Sequence, residues 1–285
     1  MEKEIIISPD SELFQTFQDA SRQRIVFFAG LPGVGKSLYI QQFAKIAYQK
    51  GRIVHSMQWD VAREPFQSRE ILDKYPEIEG ITHAAIRKAV GIWARTGILN
   101  WHKKFADDQH ILVGEIPLVG NRLIELVQIH KDEAEPILAH DSTRIFIPVP
   151  SRKVRDHIVL RRRESIAKPR HQRESLDAPP AVVNQNWQLI HELAVRLGFT
   201  SKPFKYGDYD AEIYEKSYQY LLQHRNHESL HIDEILPMSE SVYELGVLAS
   251  ELLATPEEVN EFLSLVEKQF TSEQLHESIS KWYLL

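Results

Sequence analysis

The stretch Ile25-Val26-Phe27-Phe28-Ala29-Gly30-Leu31-Pro32-Gly33-Val34-Gly35-Lys36-Ser37 decides how this chain is read. Five apolar residues predict a short buried strand, which breaks into a glycine-rich turn ending Gly-Lys-Ser. Gly30 to Ser37 fits the spacing G-x-x-x-x-G-K-[ST], and Leu38, Phe43, Ile46 and Ala47 follow at helical intervals up to a stop at Gly51. Strand, glycine loop and helix in that order predict a phosphate-binding loop. Glycines let backbone N–H groups turn inward on an anion with no Cβ in the way, and the helix directs its positive end at the same point. The expected nucleotide contacts are Gly30, Leu31, Pro32, Gly33, Val34, Gly35, Lys36, Ser37 and Leu38. Lys36 would reach the outer phosphates, and the Ser37 hydroxyl would take a magnesium position.

Outward from the loop, apolar runs alternate with helical patterns. Before it, Glu4–Ile7 reads as a short β-like run, and Ser8-Pro9 as the opening of a helix carrying Leu13, Phe14 and Phe17. After it come a strand at 52–59, a long helical stretch at 67–107, a strand at 110–113 and an amphipathic helix at 118–130. A fourth strand at 144–149, a basic helix at 151–164, helices at 181–197 and 210–224 and a fifth strand at 229–236 complete the pattern. Three capping boxes, Ser241 with Glu244, Thr255 with Glu258 and Thr271 with Gln274, predict three C-terminal helices. Strands separated by helices predict an α/β fold of three layers, with a mostly parallel five-stranded sheet covered on both faces. The whole of 1–285 reads as one domain, with helical insertions and a C-terminal helical extension at 238–285.

The composition fits an ordinary globular chain: 285 residues, 43% hydrophobic and 26% charged. With no cysteine, disulfides, thiolate metal sites and thiol nucleophiles are excluded. The Met-Glu-Lys-Glu-Ile-Ile-Ile start lacks the pattern of a signal peptide, and no run reaches membrane-spanning length, which predicts a cytoplasmic protein with no membrane partner. The net charge of −6 argues against general attraction to nucleic acid, although nine basic residues between Arg152 and Arg173 face only Asp156 and Glu164. Oligomeric state is open, a homo-oligomer included.

Ligands of parallel α/β sheets sit beyond the carboxyl ends of the strands. Asp60 follows the second expected strand and Glu115 the third. Carboxylates there can hold magnesium or accept a proton from a substrate hydroxyl. Arg122, on the helix expected after Glu115, is a candidate clamp for substrate, and Arg161, Arg162 and Arg163 are candidates to close over a transferring phosphate. Trp93 and Trp101, in the 67–107 stretch, are candidates for substrate contact if that stretch walls the acceptor pocket.

With these parts placed, residues 25 to 236 resemble the P-loop NTPase fold of the small-molecule kinases, the group of nucleoside, nucleotide, shikimate and gluconate kinases. The resemblance implies Mg-ATP as cofactor, a small-molecule phosphate acceptor, an acceptor-binding helical region at 67–107 and an arginine-rich lid at 151–180. It also implies that Asp60 contacts the acceptor hydroxyl, that Glu115 supports magnesium and that Arg161 to Arg163 meet the phosphates. The chain departs from the nucleoside kinases after the third strand, where Glu115 is followed by Ile116-Pro117 and not by arginine. Three readings follow: a kinase of a small metabolite, a nucleotide-gated regulatory ATPase that binds a protein partner, and a kinase of nucleic-acid ends that uses Arg152–Arg173 as a backbone-binding strip.

Overall fold

Ile25, Phe27 and Ala29 of strand β1 (Ile25–Ala29) belong to one hydrophobic cluster, and Val26 and Phe28 to another. A strand apolar on both faces needs cover on both, and this alternation sets the layers of the molecule. In a computed structural model that describes residues 5–78, 81–176, 178–238 and 241–285, β1 is central in a six-stranded sheet. The others are β2 (Ile53–Met57), β3 (His110–Ile116), β4 (Thr143–Pro150), β5 (His227–Ile232) and β6 (Leu248–Glu251), in the order β5-β4-β1-β3-β2-β6. Every neighbouring pair is parallel.

One face is covered by α1 (Glu12–Ala20) and α2 (Lys36–Gln49), whose Phe17 and Phe43 pack edge-on with ring centroids 5.4 Å apart. Phe17 also meets Phe28 of β1 at 5.8 Å, and burying each such ring contributes roughly 1.5–3 kcal/mol. After β2 the chain forms the short helices α3 (Trp59–Arg63) and α4 (Arg69–Lys74), then α5 (Ala84–Lys104). Four-residue α6 (Glu135–Leu138) precedes β4, and α7 (Arg152–Ala167) follows it. The other face is covered by α5 with α8 (Pro180–Arg196), α9 (Ala211–Leu221) and α10 (Pro256–Gln269), and α11 (Ser272–Ser280) packs against α5. The α/β class, the parallel sheet and the cover on both faces are as the sequence predicts.

Four elements differ from expectation. The sheet has a sixth strand, because the residues around the first C-terminal capping box do not form a helix. The Ser241 hydroxyl donates to the Glu174 carboxylate at 2.6 Å, residues 241–244 turn, and the chain then adds β6 to the edge of β2. The boxes at Thr255 and Thr271 form as expected and start α10 and α11.

Residues 118–130 are not an amphipathic helix. Leu118, Asn121 and Leu123 take left-handed backbone conformations (φ 65°, 60° and 63°), Leu118 bridges to Arg122, and only Ile124–Leu126 make a single 3-10 turn. Left-handed residues other than glycine cost roughly 1–2 kcal/mol each, and contacts from elsewhere hold them. Arg87 donates to Gly120 O, Arg95 to Glu125 O at 2.7 Å and Arg225 to Leu126 O at 2.8 Å.

The 67–107 stretch divides into short pieces before α5. At the N-terminus Ile5 and Ile6 form no strand, Glu4 lies outside the described residues, and α1 is capped by Ser11 and not by Ser8.

Candidate functional site

The strand order creates a switch point. From β1 the chain leaves toward β2 on one side, and from β3, which lies beside β1, it crosses to β4 on the other. Two neighbouring strands whose connections diverge leave a crevice at their carboxyl ends. A cavity of about 1650 Å³ opens there, lined by the loop after β1, the end of β3, α3, α7 and the C-terminal turn.

Within the loop, Gly33 and Gly35 take φ of +83° and +91°, which glycine adopts at no steric cost. Gly35 is the N-cap of α2. At Gly30 the limit is space, since a Cβ there would stand 2.5 Å from the Tyr214 hydroxyl and 2.9 Å from Val34 Cγ2. Pro32, Gly33, Gly35, Lys36, Ser37 and Leu38 line the cavity, whereas Leu31 and Val34 are fully buried and anchor the loop to the core.

Lys36, on the first turn of α2, is buried. Its Nζ donates to Leu31 O at 3.0 Å and stands 3.6 Å from Glu115 Oε2. Glu115 is the penultimate residue of β3, in register with Phe28 of β1, so sheet geometry sets its position under the loop. Burial pushes the Lys36 ammonium below its ordinary range, opposed by Glu115 and reinforced by Arg162 and Arg122. Burial likewise pushes the Glu115 carboxyl up, opposed by Lys36. A polyanion entering here would favour the charged lysine.

Asp60 lies on α3, where it is exposed, lines the cavity and stands 3.4 Å from Arg63 Nε. Arg161 and Arg162 of α7 line the cavity from the far side, and Arg161 is also within 3.2 Å of Glu164. Arg122 lines it too, from the left-handed turn in place of the expected helix. It donates to Val119 O at 2.8 Å and to Asn186 Oδ1.

Trp93 is a correction. It is 1% exposed, packs against Phe66 with centroids 6.2 Å apart, donates to Glu258 at 3.3 Å and is not among the residues lining the cavity. It faces the inner side of α5, where a large ring stabilises the core and touches no solvent. Trp101 is likewise buried, beneath Arg24.

Several wall residues were not singled out from the sequence: Gln58, Arg63, Arg87, Asn186 and Trp282. Arg87 sits in a helical pattern where charge alone carries no signal, and Asn186 and Trp282 reach the cavity only through the packing of α8 and of the C-terminal turn. No family model matches the chain, and no curated protein matches it significantly.

Proposed function

We propose that the protein is a P-loop phosphotransferase that moves the terminal phosphate of Mg-ATP to a hydroxyl or phosphate of a small metabolite. The observation that carries this reading is the cluster at the switch point: a glycine loop with left-handed Gly33 and Gly35, a buried Lys36 and a strand-end Glu115 facing one cavity. The cavity volume supports transfer over hydrolysis alone. About 1650 Å³ exceeds the roughly 300–1,000 Å³ of a pocket for one small ligand, leaving room for nucleotide and acceptor together.

On this reading the loop amides and Lys36 hold the β- and γ-phosphates. The donor set of Ser37 hydroxyl and nearby carboxylates suits magnesium shared with phosphate oxygens, which would neutralise charge on the transferring group. Arg161 and Arg162, which line the cavity from α7, would meet the phosphates, where cations stabilise charge that develops in transfer. Asp60, which lines the cavity on the β2 side, would orient an acceptor hydroxyl and take its proton.

ADP release from Mg-ATP, measured alone and against pools of nucleosides, nucleoside monophosphates, sugars and hydroxy acids, tests the proposal. A rate that rises sharply with one pool is expected. A slow rate indifferent to every pool would replace it with the regulatory ATPase.

A further inference from the structure

Arg87 carries a buried positive charge with no carboxylate at ion-pair distance among the described residues. It is 8% exposed, and its guanidinium donates to two carbonyl oxygens, Thr82 O at 2.8 Å and Gly120 O. Arg122 is held by Val119 O of the same left-handed turn and by the amide oxygen of Asn186 on α8. Among the described residues neither arginine has a carboxylate at ion-pair distance, whereas the buried Arg95 is paired with Asp132 and Glu135, and the buried Arg225 with Glu135. Nη2 of Arg87 and Nη1 of Arg122 donate to no atom among the described residues, and both side chains line the cavity.

The two charges also act on each other. Burial pushes Arg87 down to about 10, the positive charges of Arg122 and Arg63 push the same way, and Glu77 opposes them. Arg63 is itself matched, at 3.3 Å from Glu77. What remains is a pair of guanidiniums, fixed by three backbone carbonyls and the Asn186 side-chain amide, with free N–H groups at the cavity wall. Planar donors of this kind suit the oxygens of a carboxylate or phosphate, and such a partner would offset the cost of burying the charge.

We infer that Arg87 and Arg122 form a subsite for an oxyanion, a phosphate or carboxylate group carried by the phosphate acceptor, so that the acceptor is an anion and not a neutral sugar or nucleoside. Calling that anion the acceptor rests on the function proposed above, whereas the subsite itself rests only on these two side chains. Ile279, Ser280 and Trp282 line the same cavity, so the C-terminal turn restricts the space left for the acceptor.

The test uses the full chain carrying Lys36→Ala, which disables the glycine loop, with inorganic phosphate and malonate as probes at constant ionic strength. Calorimetric titration should find one phosphate or malonate site in this variant. Adding Arg122→Gln, or separately Arg87→Gln, should weaken that site about tenfold to 100-fold. Preference for phosphate or for malonate then says which group the acceptor carries. Because Arg87 also ties Thr82 to Gly120, Arg122→Gln decides the matter if Arg87→Gln does not fold. No binding in the Lys36→Ala protein, or binding unchanged by Arg122→Gln, overturns the inference. Failure of ATP turnover with every acceptor would sink the kinase reading and leave this binding result standing.

Discussion

Lys36 Nζ stands 3.6 Å from Glu115 Oε2 while donating to the carbonyl of Leu31. One ammonium therefore joins the loop after β1 to the end of β3, the two strands whose connections diverge. The lysine is held by a carboxylate and a carbonyl, and a phosphate oxygen would offer a stronger partner than the carbonyl.

Glu115→Gln should lower acceptor-stimulated ADP release by about 10²-fold or more, since a carboxylate at this point either supports the metal or handles a proton. The amide keeps the side-chain shape but leaves the buried Lys36 without its carboxylate, so the urea midpoint should fall as well. Turnover equal to wild type would remove Glu115 from the chemistry.

A pH effect is expected at the middle of β2. His55 Nδ1 lies 2.7 Å from the Ser250 hydroxyl of β6 and Nε2 lies 2.8 Å from His110 Nδ1. Burial, followed by His110, Lys104 and Arg24, pushes His55 down to about 4. A depressed histidine stabilises the fold while neutral. Its contribution is complete above pH 6.5 and is lost as pH falls toward 4. Denaturation midpoints at pH 7.5 and 4.5 should therefore fall further for wild type than for His55→Gln. Equal falls would mean that His55 does not control the attachment of β6.

Sequence and structure agree where a segment's own residues determine its conformation. The apolar run of β1, the glycines after it and the capping boxes at Thr255 and Thr271 are local signals, and each element stands as read. They part where distant contacts decide. Leu123, Ile124 and Val127 are spaced like a buried helix face, yet the positions of Arg87, Arg95 and Arg225 fix that segment as left-handed turns. Leu248–Glu251 has too little alternation to read as a strand, and it becomes one because β2 offers an unpaired edge. At the site, Lys36 and Glu115 were legible because strand ends can be located from sequence. Arg87 was not, because its place in the cavity wall depends on the turn that the sequence misrepresents.

Gly114 should tolerate no side chain. A Cβ there would stand 1.9 Å from the carbonyl oxygen of Met57, its register partner on β2. Backbone cannot give way cheaply, so Gly114→Ala should cost about 3 kcal/mol or more, at the upper end of overpacking penalties. At Gly51, where nothing lies within 4 Å and only the φ of +81° is strained, alanine should cost about 1 kcal/mol. Urea denaturation of the two variants checks the difference, and equal losses would contradict this account of the β2–β3 pairing.

Glu135 accepts from Arg95 at 2.8 Å and from Arg225 at 2.8 Å, both buried guanidiniums. Removing the carboxylate by Glu135→Ala strands the Arg225 charge, while Arg95 keeps Asp132 at 2.6 Å, and should destabilise the protein by about 3–5 kcal/mol. The same substitution combined with Arg225→Met should lose less than the two single losses added. Simple additivity in that double-mutant cycle would mean that the pair is not coupled.

The most direct test of the central claim is calorimetric titration of Mg-ATP into wild type and into Lys36→Ala. One site is expected in the wild type, weakened about 100-fold or more in the variant, with the variant still folded. Equal affinity in the two proteins, or no binding by the wild type, would contradict the assignment of the Gly30–Ser37 loop to a nucleotide.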